Sequence, residues 1–271
     1  MEPQVVRPFL KWAGGKFRLV ERIKALLPPS QRLIEPFVGS GALFLNSHYP
    51  AYLLADANAD LINLYQQLQR DSEQLIARCV PLFTPQTNSS EYYYARRKQF
   101  NQSQDQIEKA ALFVYLNKHG FNGLCRYNAS GGFNVPFGRH TKPYFPTAEM
   151  RVFAAKAQRA TFVVQDFVTT LSSTQPGDVV YCDPPYVPLS ATANFTSYSI
   201  LPFGAAEQAK LATLAEVLAA RGIPVLISNH DTLVTRELYA KARHLEGFDV
   251  QRHISCDGTK RGKAAELLAL F

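Results

Sequence analysis

The stretch RLIEPFVGSGALF, residues 32–44, joins two apolar segments through a Gly-x-Gly turn. RLIEPF (32–37) is typical of a short buried strand, and a helix is expected from Ala42. Gly39 and Gly41 allow a tight turn in which the backbone approaches a ligand closely, and the helix N-terminus adds positive potential. The order of strand, glycine turn and helix predicts one βα unit of an α/β sheet. The alternative is a tight turn that binds nothing.

The same alternation continues along the chain. A helix is predicted over residues 61–79 from apolar residues at helical spacing, and a second helix over 205–221. Further strands are predicted at AYLLAD (51–56), TFVVQD (161–166), DVVYCD (178–183) and IPVLIS (223–228), with FDVQRHIS (248–255) and AELLALF (265–271) as an antiparallel pair at one edge. Strands that alternate with helices predict a largely parallel sheet covered on both faces.

Residues 58–144 interrupt this rhythm, because they contain helices and no convincing buried strand. The segment GFNGLCRYNASGGFNVPFGRHTKPYF (120–145) is rich in Gly, Asn, Pro and aromatic residues and is too long for a plain connector. We therefore predict a functional insertion at 58–144 and a core domain formed by residues 1–57 and 145–271.

Composition limits the class of protein. The chain has 271 residues, of which 46% are hydrophobic and 19% charged, enough for one large α/β domain or a core with an insertion. No signal peptide is evident, and no apolar run approaches the ~18 residues of a membrane span. The cysteines are far apart, without a CxxC pair or clustered histidines: Cys79, Cys125, Cys182 and Cys256. We expect reduced thiols in the cytoplasm, no metal site and no membrane association.

Positive charge is concentrated in the insertion. The chain has a net charge of +7, and residues 94–142 alone contain eight basic and two acidic residues. A second basic cluster follows at Lys260, Arg261 and Lys263. Cations interleaved with aromatic rings are typical of nucleic-acid binding, in which phosphates meet cations and bases stack on rings. A solvated basic face is the alternative.

Two further features surround the glycine turn. Asp56 follows Gly39 by 17 residues, where an acid binds ribose hydroxyls in nucleotide-binding sheets, and a solvated Asp is the alternative. No third glycine has the spacing of a pyrophosphate cradle, so a nucleoside without phosphates is favoured over NAD. In FLKWAGGK (9–16), we expect Trp12 to supply apolar contact and Lys16 a charge for a carboxylate. The alternative is an arm capped by a buried Trp.

Asp183, Pro184, Pro185 and Tyr186 end an apolar strand. An exocyclic amine of a nucleobase must pyramidalise before it attacks an electrophile. A carboxylate that accepts one N–H and a fixed carbonyl that accepts the other favour that geometry. Tyr186 offers a stacking face, whereas Cys182 should point to the opposite face of the strand. Methylation of a ring carbon would need a catalytic cysteine, usually in a Pro-Cys sequence, and this chain has no Pro-Cys. Direct in-line transfer of the methyl group to nitrogen is therefore expected. The alternative is a turn that only ends the strand and has no catalytic role.

Seven motifs in order carry a resemblance to a known family. They are FLKWAGGK (9–16), EPFVGSG (35–41), LADAN (54–58), NGLCRYN (122–128), FNVPFGR (133–139), CDPPY (182–186) and LSATANF (189–195). Together they resemble the Dam family of S-adenosylmethionine-dependent DNA adenine-N6 methyltransferases. The resemblance implies a Rossmann-like α/β methyltransferase sheet covered by helices, with the insertion as a mainly helical target-recognition domain. The substrate it implies is the adenine of GATC in duplex DNA.

The resemblance also implies roles for individual residues. The cofactor S-adenosylmethionine would be bound by Trp12, Lys16, Phe37, Gly39, Gly41, Asp56, Asp166 and Asp183. Asp183, Pro184, Pro185 and Tyr186 would hold the flipped adenine. Arg126 would read a guanine bidentately and Leu124 the thymine methyl group. Phe121 and Asn122 would enter the base stack, Lys11 would contact the other guanine, and Pro136 would pack against a base. Phe121 and His140 stand where the family frequently has Tyr, which puts the DNA contact of His140 in doubt.

Alternatives remain open from the sequence. The spacing of Arg126 alone favours a phosphate clamp or a structural ion pair, and only the full NGLCRYN match favours base reading. One alternative is an enzyme that acts on another planar amine or amide, such as an rRNA base, a glutamine side chain or cytosine N4. The other is a non-catalytic DNA-binding module. Asp before the prolines favours adenine over cytosine. We expect a cytoplasmic, nucleoid-associated monomer, since no oligomerisation stripe is obvious.

Overall fold

The strand and helix predicted at residues 32–44 are present in the computed structural model, which describes residues 5–187, 203–251 and 263–271. The strand covers Arg32–Glu35 and the helix Ala42–Asn46. The strand ends before Phe37, contrary to the prediction, because Pro36 has no N–H to donate to a sheet ladder. The LSATANF motif, Cys256, Lys260, Arg261 and the side chain of Lys263 lie outside what is described.

The described residues form nine α-helices and seven strands. The helices are α1 (Val20–Leu26), α2 (Ala42–Asn46), α3 (Ala59–Cys79), α4 (Ser90–Gln102), α5 (Gln106–His119), α6 (Thr147–Ala157), α7 (Phe167–Ser172), α8 (Ala205–Ala220) and α9 (Leu233–Leu238). The strands are β1 (Arg32–Glu35), β2 (Ala51–Asp56), β3 (Ala160–Val164), β4 (Asp178–Cys182), β5 (Val225–His230), β6 (His244–Gln251) and β7 (Lys263–Leu270). Short 3₁₀ turns cover Phe17–Leu19, Val80–Leu82, Pro85–Thr87 and Phe121–Gly123.

The strands form one sheet in the order β3-β2-β1-β4-β5-β7-β6. β1 is parallel to β2 and β4, and β4 is parallel to β5. β7 is antiparallel to both β5 and β6, and β6 is an edge strand. The predicted α/β class, the largely parallel sheet and the antiparallel C-terminal pair at one edge are therefore confirmed.

Several strand ends differ from the predictions. β6 begins at His244 and not at residue 248, and β7 begins at Lys263 and not at residue 265. β3 stops at Val164 because Asp166 turns its carboxylate onto the first turn of α7, where it accepts the N–H of Thr169 (3.0 Å). β4 stops at Cys182, since Pro184 and Pro185 cannot donate to a ladder. β5 begins at Val225, after Pro224, and extends to His230. Asp166 and Asp183 therefore follow their strands and do not end them.

Alternate residues of the sheet build one apolar core. Val180 and Cys182 of β4 pack with Val225 and Ile227 of β5 and with Leu211 of α8. Burial raises the pKa of the Cys182 thiol above its ordinary range. Cys182 is thus a core residue on the face of β4 opposite Tyr181, as the alternation of strand side chains predicts.

The chain divides into two compact units. The first comprises Met1–Val20, Val38–His48 and Asp56–Val164, and the second Glu21–Phe37, Tyr49–Ala55 and Gln165–Phe271. Residues 58–144 are described throughout and hold α3, α4 and α5 with no strand, as predicted. Their bounds as a functional domain stay a prediction. Within the described part of the chain, no helix is long and apolar enough to cross a membrane.

Candidate functional site

The glycine turn is built around Trp12. Gly39 and Gly41 have φ values of +47° and +69°, in the left-handed region that favours glycine. A Cβ atom on Gly39 would lie 2.8 Å from Trp12 Nε1, so the half-buried indole packs directly on the turn. The carbonyl of Gly39 accepts a 2.5 Å hydrogen bond from the hydroxyl of Tyr65. The structure therefore brings together Trp12 and Gly39, two residues predicted to bind the cofactor.

Asp56 joins the end of β2 to this turn. Its Oδ2 accepts the N–H of Gly39 (3.1 Å) and its Oδ1 accepts the N–H of Asn58 (2.9 Å). Burial raises the pKa of Asp56 to about 6, although these hydrogen bonds favour the ionised form. Two acceptor oxygens fixed beside a glycine turn are the arrangement expected for binding ribose hydroxyls.

Lys16 is buried, and its ammonium donates to the carbonyl of Gly14 (2.6 Å). A Cβ atom on Gly15 would lie 3.2 Å from the Trp12 carbonyl and 3.8 Å from Ser40 Oγ, so the FLKWAGGK segment folds back on itself beside the glycine turn. As predicted, residues 9–16 are neither helix nor strand. The contact of Lys16 with a ligand stays a prediction.

Two more predicted cofactor residues belong to the second unit. The ring of Phe37 stacks on Phe167 with centroids 5.7 Å apart and meets Phe203 edge-on at 5.5 Å. Asp166 directly precedes Phe167 and is exposed. Its pKa is lowered, first by the backbone N–H of Thr169 and then by the Thr169 hydroxyl. The carboxylate therefore stays ionised while it caps α7.

The Asp183 carboxylate is fixed from β5. Ser228 Oγ donates to Asp183 Oδ1 (2.9 Å) and also lies 3.0 Å from the Tyr181 hydroxyl. The Pro185 carbonyl accepts a hydrogen bond from Gln208 Nε2 (2.7 Å). Among the residues that the structure describes, none donates to the Pro184 carbonyl. The turn is thus held in place, and its Pro184 carbonyl accepts no hydrogen bond from the described part of the chain.

Tyr186 is oriented at both ends of its side chain. Its hydroxyl donates to Glu266 Oε2 (3.2 Å), and its ring meets His230 edge-on with centroids 4.7 Å apart. Asn229 Oδ1 accepts the N–H of Val187 (3.1 Å), which anchors the chain just after Tyr186. Burial raises the pKa of Tyr186 well above its ordinary value, so the phenol stays neutral. A neutral aromatic ring in a fixed plane suits base stacking.

The predicted DNA-reading residues lie in the first unit, and Asn117 organises part of them. Asn117 Oδ1 accepts the N–H of Lys11 (3.0 Å), and Asn117 Nδ2 donates to the carbonyls of Lys11 (2.8 Å) and Gly123 (3.2 Å). A Cβ atom on Gly123 would lie only 2.3 Å from Lys11 Cβ. Lys11 and the loop that contains Leu124 are therefore brought together, which the sequence separation of 106 residues between Lys11 and Asn117 conceals.

Phe121 and Asn122 project from the surface of this loop. Phe121 is 49% exposed and Asn122 is exposed with a φ of +52°. The N–H of Phe121 donates to the carbonyl of Pro136, which is itself exposed. His140 Nε2 lies 3.1 Å from the Gly120 carbonyl, so its ring supports the loop from behind. An exposed large aromatic side chain on a pinned loop is suited to entering a base stack.

Arg126 is held by Asn134. Arg126 Nε donates to Asn134 Oδ1 (2.7 Å) and Nη2 to the Asn134 carbonyl (3.3 Å), while the Asn134 N–H donates to the Arg126 carbonyl (3.0 Å). Within residues 5–187, 203–251 and 263–271, Arg126 forms no ion pair. Two hydrogen bonds orient its guanidinium without neutralising it, which argues against the structural ion pair.

Positive charge in the loop region is partly buried. Lys118 is buried, and desolvation, followed by the charge of Lys11, lowers its pKa to about 8. Desolvation also lowers the pKa of Lys11. The described residues contain no group of three or more His, Cys, Asp or Glu able to hold a metal ion.

Several positioning residues are not predicted from the sequence. Tyr65 is counted in the apolar stripe of α3, and its hydroxyl gives no local signal. Asn117, Asn134 and Ser228 act on residues that approach them only after folding. The polar position Ser228 at the end of an apolar strand is the one signal that directs attention to such a role.

Known proteins resemble this chain over nearly its full length. The family model of the D12 class N6 adenine-specific DNA methyltransferases matches residues 12–254. The DNA adenine methylase of Escherichia coli (strain K12) is 52% identical over 265 residues, which cover 98% of this chain and 95% of that protein. The DNA adenine methylase of Vibrio cholerae (strain ATCC 39541) is 53% identical, with coverages of 98% and 96%, and that of Serratia marcescens is 50% identical, with 98% of both chains covered.

Among solved structures, precorrin 8W decarboxylase from the Methanobacterium thermoautotrophicum genome has a TM-score of 0.40 and 9% identity, over 98% of this chain and 95% of that one. That likeness is too weak to support an argument.

Gly39→Ala should weaken the binding of S-adenosylmethionine. An alanine at φ +47° is strained, and its Cβ atom would collide with Trp12. We expect S-adenosylmethionine affinity to fall by at least about tenfold, measured by calorimetry. Trp12 is the single tryptophan, so its fluorescence should shift. The matched control is Gly131→Ala, where φ is +78° but nothing lies within 4 Å of the new Cβ. Equal effects of both variants on binding would contradict the role of the Trp12 contact.

The ionisation of Asp56 should set the pH dependence of cofactor binding. Below about pH 6 the carboxyl of Asp56 is protonated, and above it the carboxylate is ionised, the form expected to accept ribose hydroxyls. S-adenosylmethionine affinity should therefore rise by up to about tenfold per pH unit towards pH 6 and level off above it. Calorimetric titrations from pH 5 to 8 measure this. Asp56→Asn should bind more weakly with a flat profile, and a flat wild-type profile would exclude the carboxylate from binding.

Proposed function

The chain belongs to the D12 class of N6 adenine-specific DNA methyltransferases, and we propose that its target is the adenine of GATC in duplex DNA, reached by base flipping. It transfers a methyl group from S-adenosylmethionine to N6 of adenine. Extrusion of the base is needed because N6 is otherwise paired inside the helix. The observation that supports a direct transfer is the Asp183 turn, with its fixed carboxylate and its available Pro184 carbonyl.

The turn is suited to activating an amine. Asp183 accepts one N–H of the target N6 and the Pro184 carbonyl accepts the other, which draws the nitrogen lone pair out of conjugation with the ring. S-adenosylmethionine supplies an electrophilic methyl group. The N–C bond would form as the methyl–sulfur bond breaks, with S-adenosylhomocysteine as the leaving group, and the methylated amine would release one proton to water. Tyr186 stacks on the adenine, and Pro185 keeps the turn in place through Gln208.

We infer that the cofactor is bound by the residues that the sequence predicts for it. Trp12 supplies an apolar surface and Lys16 a charge for the carboxylate of the methionine moiety. Gly39 and Gly41 allow close approach of the backbone, and Asp56 accepts the ribose hydroxyls. Phe37 and Asp166 contact the cofactor adenine, through the ring of Phe37 and the exposed carboxylate of Asp166.

The loop of residues 120–140 reads the DNA. Arg126 donates to O6 and N7 of one guanine, and Leu124 contacts the thymine methyl group. The remaining contacts are made by Phe121 and Asn122 in the stack, by Lys11 at the other guanine, and by Pro136 and His140 at the edge of the loop. The guanidinium of Arg126 is oriented by Asn134 and has no ion pair among the described residues, which supports base reading over a phosphate clamp.

The DNA partner is duplex DNA, and we infer a monomer that works in the cytoplasm on the nucleoid. Acting alone or beside a restriction endonuclease are both compatible with this chemistry. Transfer to cytosine N4, an rRNA base or a glutamine side chain is the alternative reaction. The basic, aromatic loop between the two predicted half-sites favours duplex DNA, because a protein substrate has no need of it.

Transfer of labelled methyl from S-adenosylmethionine tests the function. One duplex contains a single GATC and a second has its guanines replaced. Label should appear on the adenine of the first duplex only. Asp183→Ala should abolish transfer while the protein stays folded by circular dichroism and still melts cooperatively. Label on cytosine, on RNA or on protein, or turnover in Asp183→Ala, would refute the proposed reaction or the proposed role.

Arg126→Ala should lose discrimination at one guanine, by about 1–3 kcal/mol between GATC and the duplex with that guanine replaced. Competition binding on both duplexes measures it. Asn134→Ala should lose part of the same discrimination, because the guanidinium is then no longer oriented. Arg159→Ala, which removes an exposed charge elsewhere, is the control. If Arg126→Ala weakens binding equally on every sequence, the residue contacts phosphate.

A further inference from the structure

Asn58 connects the cofactor half of the first unit to the start of α3. Its N–H donates to Asp56 Oδ1 (2.9 Å), and its Oδ1 accepts the N–H groups of Asp60 and Leu61 (both 3.1 Å). The side chain is therefore the N-cap of α3, which is why that helix begins at Ala59 and not at residue 61. Asn58 is buried, so its remaining donor must find a partner inside the protein.

That donor reaches the predicted DNA-reading segment. Asn58 Nδ2 donates to Cys125 Sγ (3.3 Å). Two residues further on, the hydroxyl of Tyr127 donates to Asp60 Oδ2 (2.7 Å) and lies 3.4 Å from Asn58 Oδ1. Asp60 is fixed in turn by Lys109 Nζ, 2.7 Å from Asp60 Oδ1. The first turn of α3 thus holds both neighbours of Arg126 in the chain.

The side chain of Arg126 itself donates to Asn134 and not to α3. An isolated bridge between Tyr127 and Phe133 and the edge-on contact of their rings, 5.7 Å apart, complete the support of this segment. Its backbone is therefore fixed from two sides. On one side it is held by Asn134. On the other it is held by Asn58, whose N–H donates directly to Asp56.

We propose that Asn58, Cys125 and Tyr127 form a coupling link through which cofactor binding at Asp56 strengthens reading of the guanine by Arg126. The inference rests on the proposed function of both sites. A ligand on Asp56 orders the Gly39–Asp56–Asn58 hydrogen bonds, and the link passes this order to residues 125–127. By linkage, cognate DNA strengthens cofactor binding by the same factor. The three residues position others and are not catalytic.

The coupling factor measures the link. We define it as the affinity for a GATC duplex with saturating S-adenosylhomocysteine, divided by the affinity without it; this product cannot react. Wild-type protein should give about 5- to 150-fold, with the same factor for S-adenosylhomocysteine affinity with and without the duplex. Tyr127→Phe should reduce both factors to less than about twofold, because it removes the hydroxyl and keeps the ring.

The matched control is Tyr115→Phe. Tyr115 is a buried tyrosine of α5 whose hydroxyl donates to the Thr87 carbonyl (2.8 Å), so the substitution also removes one buried hydrogen bond. Its melting temperature should fall about as far as that of Tyr127→Phe, while its coupling factor stays at the wild-type value. Loss of coupling in both variants would mean that general loosening, and not the link, is responsible, and would overturn the inference.

Two further variants test the other branch of the link. Asn58→Asp keeps an N-cap acceptor but cannot donate to Cys125, and Cys125→Ala removes the acceptor. Each should lower the coupling factor, and the double variant should lower it no further. A wild-type coupling factor in Tyr127→Phe and Asn58→Asp would overturn the inference. Independent binding of the two ligands by the wild-type protein would also overturn the inference, but it would not affect the proposed function. Binding of the cofactor without any duplex binding would instead refute the function.

Discussion

The acceptance of two backbone N–H groups by the Asp56 carboxylate is the interaction on which the glycine turn depends. One N–H belongs to Gly39 and the other to Asn58, so a single side chain ties the glycine turn to the start of α3. Tyr65 secures the opposite end of the same peptide region by donating to the Gly39 carbonyl. Hydrogen bonds within the protein therefore define the turn, and they limit the ordering that a ligand has to add. The cost appears at Asp56, whose pKa burial raises to about 6.

The Asp183 turn is held by a different arrangement. There the chain is stiffened by two prolines, and neutral side chains from β5 and α8 hold what the prolines leave flexible. Ser228 donates to the Asp183 carboxylate without adding a positive charge, which suits the proposed role of Asp183 beside an amine that becomes positive during transfer. A lysine or arginine in place of Ser228 would neutralise the carboxylate and remove that advantage. Asp183 thus needs a donor that orients it weakly.

Prediction from the sequence succeeded where the chemistry is local in the chain. The glycine turn, Asp56 at the end of β2 and the Asp183 turn lie next to their own strands, and hydrophobic periodicity located those strands. It failed at strand ends, where Pro36, Asp166 and Pro184 alter the backbone over one or two residues. It also missed Tyr65, Asn117 and Asn134, since their partners are remote in the chain or their type has an ordinary structural reading. Recognition of Arg126 depended on the whole NGLCRYN motif, because spacing alone could not separate a base contact from an ion pair.

Asparagine recurs among the residues that support the loop of residues 120–140 and the Asp183 turn, and its amide explains why. Asn58, Asn117 and Asn229 each accept through oxygen and donate through nitrogen. An amide can therefore hold a backbone N–H and a second group at once, with no charge to desolvate in a buried position. Aspartate would lose the donor and add a negative charge beside Asp56 or Asp183. A positive side chain would lose the acceptor. Beside Asp56 and Asp183, a neutral side chain with both a donor and an acceptor therefore fixes the backbone without changing the local charge.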